Sequence, residues 1–434
     1  MILVDTRLKQ RADSGNILKV GMIGSGEMAK GMINQIINHT PGMTVACTYG
    51  RSADKVKSVF DSLGLTQYLL TNELEAAETA IAQGLYVITE DIDMMCALQS
   101  IEILVESTGA IEFGAETLLK AFKNGKHVLS FNAELDSTLG PILYKKAKEY
   151  GVKYALGDGD QPGVTMNLYR YVKSMGFTPL VCGNIKGMQD RYRTPDTQKA
   201  FAASWGMNPV MATNFADGTK ISFEQSCIAN GTGMKVAQRG MLGFESTEHV
   251  DKLTHLFDVE RLKELGGIVD YIVGAQPSPG VFVYATTDDE FSKKYLKYGK
   301  LGDGPLYSFY QPYHLLFFDI ASSICRLMDF DDGVLVPING PVVDVITVAK
   351  RDLHPGDLLD GIGGFKTYGL CENHDQVVTE NLLPMGISEG CVINKFIPKD
   401  EVVHYSDVQI PDGRLIDELM LEQLEINKSV MIKV

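Results

Sequence analysis

The feature that most constrains this chain is Val20-Gly21-Met22-Ile23-Gly24-Ser25-Gly26-Glu27-Met28-Ala29. It sets G-x-G-x-x-A where an apolar run of strand length, Ile17 to Ile23, meets a helical stretch, Glu27 to Asn38. Each small residue has a geometric task. Gly24 allows the tight turn, Gly26 lets the backbone approach a pyrophosphate, and Ala29 lets helix and strand come close. Ser25, Glu27 and Met28 complete the turn and the first helical residues, whose free N–H groups and positive dipole end favour phosphate. The pattern predicts a dinucleotide site; the alternative is a glycine-rich turn with no ligand.

The surroundings favour the first alternative. Met43 to Thr48, Tyr86 to Thr89, Ile101 to Val105, His127 to Phe131 and Val152 to Leu156 are further strand-like runs. Helical stretches at Gly114 to Asn124 and Gly140 to Tyr150 alternate with them, as in a parallel sheet with crossover helices. The second strand ends Thr48-Tyr49-Gly50-Arg51-Ser52, without the Asp or Glu that NAD enzymes place there for the ribose hydroxyls. Arg51 and Ser52 suit a 2′-phosphate and so point to NADP(H), unless Arg51 is simply an exposed residue opening the next helix. After Ile101 to Val105, Ser107, Thr108 and Gly109 fall at the sheet edge where ligands bind in α/β folds. They either line the nicotinamide side or form an ordinary turn.

Beyond about residue 165 the order of helices and strands loses its regularity. Turn signals at Pro277-Ser278-Pro279-Gly280 and Gly302-Asp303-Gly304-Pro305 suggest an α+β region. From Val342 to about Tyr405 the chain is β-rich and turn-rich, and Leu415 to Asn427 has helical spacing with many acids. The expected division is an α/β Rossmann domain over 1–162, an α+β catalytic and oligomerisation domain over 163–340, and a β-rich domain over 341–434 with a C-terminal helix.

Forty Lys and Arg against 55 Asp and Glu leave a net charge of -15, which repels nucleic acid. The densest basic stretch, Lys350 and Arg351 with His354, is small. The seven cysteines are scattered without C-x-x-C pairs, so neither a disulfide framework nor a zinc site is expected. Charged residues interrupt the N-terminus, and the longest apolar run, Leu315 to Ile324, is broken by Asp319. These features lead us to expect a cytoplasmic protein with a small-molecule substrate and neither membrane nor nucleic-acid partners.

Residues 17–160 resemble the homoserine dehydrogenase-like group, through Val105-Glu106-Ser107-Thr108-Gly109 and Gly125-Lys126-His127-Val128. Over nearly the whole chain the sequence is similar to one branch of that group, the deoxyxylulose phosphate reductoisomerase-like (DRL) proteins. The carrying segments are Phe131-Asn132-Ala133-Glu134-Leu135-Asp136, Leu156-Gly157-Asp158-Gly159-Asp160-Gln161-Pro162, Ser278-Pro279-Gly280-Val281-Phe282-Val283 and Gln311-Pro312-Tyr313-His314-Leu315. The last block resembles an SAF domain from Ala349-Lys350-Arg351-Asp352-Leu353-His354-Pro355-Gly356. The resemblance implies NADPH dependence, with Asn132 among the cofactor-binding residues. Homoserine dehydrogenases carry a lysine directly after this asparagine; here Ala133 follows, which argues against homoserine as substrate.

In place of that lysine stands Glu134-x-Asp136, expected on a loop, followed later by Asp158 and Asp160. Glu134, Asp136 and Asp160 are hard oxygen ligands that would suit Mg²⁺ or Mn²⁺ and help polarise a hydroxy-ketone. Alternatively, such acids serve as helix caps. Lys186, in Gly183-Asn184-Ile185-Lys186-Gly187, suits a developing alkoxide, which it can neutralise and protonate. His314 is a catalyst, a phosphate contact or a polar residue at a helix start. The lysines expected by resemblance near Asn184 and Asp303, and the arginine near Gln311, are missing, which puts deoxyxylulose phosphate itself in doubt; Arg191 and Arg193 are the nearby substitutes.

The resulting expectation is an NADPH-dependent reductase or reductoisomerase of a small polyhydroxylated carbonyl compound, as a homodimer or homotetramer. The alternatives are a metal-independent NADP-dependent sugar or amino-acid dehydrogenase and a non-catalytic nucleotide sensor.

Overall fold

The computed structural model of the protein describes residues 3–431, so the expected outer limits at Met1 and Val434 lie outside it. Seven short apolar runs form a parallel sheet: β1 (Leu18–Ile23), β2 (Met43–Tyr49), β3 (Tyr68–Leu70), β4 (Tyr86–Thr89), β5 (Ile103–Glu106), β6 (His127–Ser130) and β7 (Tyr154–Leu156). Their order is β3-β4-β2-β1-β5-β6-β7. The inner strands are buried on both faces, with Val20, Met22, Val45, Ile103 and Val105 in one core, which explains their uninterrupted apolar runs. The chain leaves β1 toward β2 on one side and returns to β5 on the other. In open α/β sheets the crevice at the carboxyl ends of such a strand pair is the ligand site.

Two elements escaped the sequence pattern. β3 is a three-residue edge strand with no buried residue. The helix Val4–Ser14 buries only Leu8 and Arg11, so it has no apolar stripe. It is held instead by charge: Arg11 donates to Asp329 at 2.9 and 2.7 Å and Arg7 at 2.9 Å. Burial alone would raise the Asp329 carboxyl, but the hydrogen bonds from Arg11 and Arg7 outweigh it and hold the group below its usual range. A depressed carboxylate contributes stability that is complete above its unfolded pKa and is lost as pH falls through the folded one. Asp329→Asn is therefore expected to lower the melting temperature at neutral pH and to flatten its decline below about pH 4. A decline as steep as the parent's in thermal melts across that window would contradict this.

By contact density the described chain forms two units. The first takes residues up to Asp136, Ile142–Gly163 and Leu315–Val336; the second takes Ser137–Pro141, Val164–His314 and Pro337 onward. Leu315–Val336 joins the first unit because Phe317 fills the space left by the missing side chain of Gly31 and Leu156 N donates to Leu335 O at 2.8 Å.

The second unit holds β8 (Thr178–Lys186), β9 (Phe244–Glu245), β10 (Ile268–Val273), β11 (Gly280–Thr286) and β12 (Tyr307–Gln311), in the order β12-β11-β8-β10-β9. β8 runs parallel to β10 and antiparallel to β11. The helix Thr219–Thr232 covers one face through Ile221, Ile228 and Ala229; Val250, Phe257 and Leu262 cover the other. This helix is buried nearly all round, because a hairpin of β13 (Val343–Ala349) and β14 (Thr367–Asn373) packs on its remaining side. Ser226 Oγ donates to Val343 O at 2.6 Å and Gly369 N to Thr219 Oγ1 at 2.8 Å.

Candidate functional site

The two units supply different chemistry. In the first, Gly24 has φ +133°, and a Cβ there would lie 2.8 Å from Ser107 Oγ, so glycine is needed for both backbone and space. The neighbouring loop is tied down by Ser107, whose N and Oγ both donate to Ile23 O at 3.1 Å. Gly26 is the N-cap of the helix Glu27–His39 and carries no capping side chain. A Cβ on Gly26 would meet nothing within 4 Å. Ala29 is buried behind the turn, Ser25 and Met28 are partly buried, and Glu27 is exposed. The open face over Gly26, beside unsatisfied helix N–H groups, fits a dinucleotide pyrophosphate.

Gly26→Ala is accordingly expected to leave the melting temperature unchanged while weakening dinucleotide affinity about tenfold, the equivalent of roughly 1.4 kcal/mol. A parallel loss of stability, or unchanged affinity in a binding titration, would contradict the assignment.

Below the loop after β5 lies a buried polar network. Glu106 is fully buried and accepts from Thr108 N at 2.7 Å, Thr108 Oγ1 at 2.5 Å and Ser130 Oγ at 3.2 Å. Burial pushes its carboxyl up, and the hydrogen bonds from Thr108, Ser130 and Asn132 oppose that rise. Asn132, also fully buried, donates to Ala110 O at 3.2 Å and accepts from Leu135 N at 3.0 Å. Glu106 thus fixes the conformation of Thr108, with Gly109 exposed at the tip. Its signal in the sequence is a charged residue ending an otherwise apolar strand.

The same Asn132 corrects the expected carboxylate loop. By capping the helix Ala133–Glu149 it places Glu134 and Asp136 in the first helical turn. Asp136 is fully buried and accepts from Tyr154 OH at 2.8 Å. Asp158 accepts from Gly159 N at 2.8 Å and lies 3.5 Å from Arg326. Asp160, beside a small recess walled by Phe131, Leu156 and Pro162, accepts from Gln161 N at 2.9 Å. Among the described residues no three acidic, histidine or cysteine side chains gather as a metal site. The first unit therefore does not hold Glu134, Asp136 and Asp160 as a ready ligand set.

In the second unit Lys186 ends β8, partly buried, with Nζ donating to Phe215 O at 2.9 Å. Burial lowers its pKa; Glu224 and Asp217 pull the other way, while the neighbouring Lys220 adds to the lowering. Glu224 lies 4.0 Å from Lys220, four residues earlier on the same helix. A lysine whose pKa is lowered in this way gives up its proton more readily than a solvated one. Of the substitutes considered for phosphate binding, Arg191 sits 5.9 Å from the Tyr368 ring and Arg193 pairs with Asp190 at 3.0 Å. His314 is partly buried and directly precedes Leu315, the N-cap of the 3-10 helix Leu316–Asp319. At the end of β2, Arg51 is exposed and Ser52 precedes the helix Ala53–Ser62 without a side-chain capping bond.

Residues 24–156 match the family described as homoserine dehydrogenase, NAD binding domain, and residues 159–320 match oxidoreductase DRL, catalytic domain. Both matched descriptions are of oxidoreductase domains, and neither match alone spans half of the chain. The chain is thus similar in its first part to a homoserine dehydrogenase NAD-binding domain and in its middle part to a DRL catalytic domain.

Over 65 residues it is 38% identical to a homoserine dehydrogenase of Pseudomonas aeruginosa, a stretch spanning 15% of either chain. Among solved structures it is similar in fold to a probable dehydrogenase from Thermotoga maritima (11% identity, TM-score 0.41, covering 74% of this chain and 92% of that one). Others are DOX-P reductoisomerase in complex with NADPH, fosmidomycin and magnesium (15%, 0.36, 49% and 58%), and the WlbA dehydrogenase from Bordetella pertussis with NADH and UDP-GlcNAcA (14%, 0.31, 42% and 50%). The chain thus spans about half the length of the latter two. No helix among the described residues is long and apolar enough to cross a membrane.

Proposed function

We propose that this oxidoreductase is an NADPH-dependent reductase or reductoisomerase of a small polyhydroxylated carbonyl compound, with sugar phosphates such as deoxyxylulose phosphate among the candidates. The observation that carries the reading is Lys186: a half-hidden lysine with a lowered pKa at a strand end within the DRL catalytic domain. A bound nicotinamide dinucleotide supplies the hydride. Lys186 holds the proton that the reduced oxygen needs, and the carboxylates of Glu224 and Asp217 limit how far its charge is lost. Arg51 and Ser52 receive the 2′-phosphate, and Thr108, positioned by Glu106, borders the nicotinamide side together with Ser107, Gly109 and Asn132.

A screen of keto-sugars and their phosphates for NADPH oxidation tests the reading. Failure of every substrate with a folded, NADPH-binding protein would favour the nucleotide sensor instead.

No step in this reading passes through a metal ion, since Asp136 is held by Tyr154 and Asp158 lies beside Arg326. That arrangement favours, as a second reading, a plain NADP-dependent sugar or amino-acid dehydrogenase. Turnover is expected to keep most of its rate in excess chelator. A collapse restored by Mg²⁺ or Mn²⁺ would return Glu134, Asp136 and Asp160 to the role of ligands.

We further propose a cytoplasmic homodimer or homotetramer, with the block from 341 onward as an SAF-type domain. All seven cysteines are buried and unbridged, which agrees with a reducing compartment. Light scattering gives the oligomeric state.

A further inference from the structure

We infer that Glu90, in the turn directly after the strand beside β2, sets the balance between NADH and NADPH. The inference rests on the dinucleotide reading above and refines its cofactor choice. β2 lacks a terminal acid, but its parallel neighbour β4 is followed directly by one. Tyr49 pairs with Thr89 across the two strands, and Gly50 N donates to Thr89 O at 3.2 Å, so the residue after Thr89 emerges beside Gly50-Arg51-Ser52.

The Glu90 carboxylate is aimed at that turn. Its Oε1 accepts from Ala53 N at 2.6 Å, at the opening of the helix whose N-cap, Ser52, makes no side-chain capping bond. Its own N–H donates to Asn72 Oδ1 at 3.1 Å, and the same oxygen accepts from Thr89 Oγ1 at 2.8 Å. Charges of both signs converge here. Burial raises the Tyr49 phenol, Arg51 and Lys120 lower it, and Asp91 and Glu90 raise it. An anion therefore already occupies the positive end of this helix, next to the arginine assigned to the 2′-phosphate.

A carboxylate accepts hydrogen bonds from ribose hydroxyls but repels a phosphate, whose oxygens are also acceptors. Glu90 does from the turn after β4 what an acid at the end of β2 does in NAD-binding sheets. Arg51 draws NADPH in and Glu90 works against it.

Glu90→Gln tests this, because glutamine keeps the size and an oxygen for the Ala53 N–H while losing the charge. The dissociation constants of NADH and NADPH are measured by calorimetric titration for the parent and the variant. The ratio Kd(NADPH)/Kd(NADH) is expected to fall about tenfold. A fall of at least threefold supports the inference; a smaller change, or one toward NADH, overturns it and leaves Glu90 as a helix cap. A parent protein that binds neither dinucleotide overturns the dinucleotide reading itself.

Discussion

Lys186→Met is expected to lower kcat by about a hundred- to ten-thousandfold, the range typical for removing a general acid–base, while the dissociation constant of the dinucleotide stays unchanged. Methionine matches the length of the lysine stem, so packing is kept and the ammonium alone is lost. The pH dependence separates a proton donor from a structural lysine. Because burial lowers the pKa of Lys186 from that of a solvated lysine, reduction should slow with rising pH on a limb that lies below the titration of an ordinary lysine. Glu224→Gln removes the main charge that opposes the lowering, so this limb should move to lower pH. Lys186→Arg keeps the positive charge but does not release a proton in the working range, and is expected to bind substrate and fail in turnover. An unchanged pH profile in Glu224→Gln, or a Lys186→Met enzyme within tenfold of the parent, would remove Lys186 from the chemistry.

What the sequence made legible follows from the range of each interaction. The G-x-G-x-x-A turn was readable because its demands are local: Gly24 needs a positive φ and Gly26 an open face, and neither depends on distant partners. The strands of the first sheet were readable for a similar reason, since burial on both faces writes an apolar run into the chain. Glu134 and Asp136 lie on a helix and not on the expected loop, because the side chain of Asn132 caps the helix that carries them. The partners that settle Asp136 and Asp158, Tyr154 and Arg326, come from other elements, and no spacing rule announces them. Glu90 is a similar case: the acid missing from the end of β2 stands directly after β4, brought alongside by sheet order rather than by sequence distance. Lys350 reads in the sequence only as part of a small basic stretch, and its burial comes from partners far along the chain.

Lys350→Met should destabilise the protein by about 3–5 kcal/mol, the cost of leaving a buried charge without its partner. Lys350 Nζ donates to Asp217 Oδ2 at 2.9 Å, Arg193 O at 2.9 Å and Gly364 O at 2.8 Å. All three of its donors are thus satisfied, with side-chain exposures of 2% for Lys350 and 0% for Asp217. The bond joins the segment after β13 to the turn that opens the helix Thr219–Thr232, where Asp217 Oδ1 also accepts from Thr219 N at 2.9 Å. Burial raises the Asp217 carboxyl and Lys350 opposes the rise. Without the ammonium that carboxyl should rise further, so the folded state takes up a proton more readily than the unfolded one. The contribution of this one group to the variant's stability is then fullest below its unfolded pKa and is lost as pH rises through the folded pKa. Its deficit should therefore be smaller near pH 5 than near pH 8 in urea melts. The double variant Lys350→Met, Asp217→Asn should recover much of the loss, because a neutral amide replaces the stranded charge. Since Asp217 also acts on Lys186, the pH limb of turnover should shift in any variant that retains activity. A loss under about 1 kcal/mol, with no recovery in the double variant, would mean that the pair is not a buried charge couple of the kind that is costly to break.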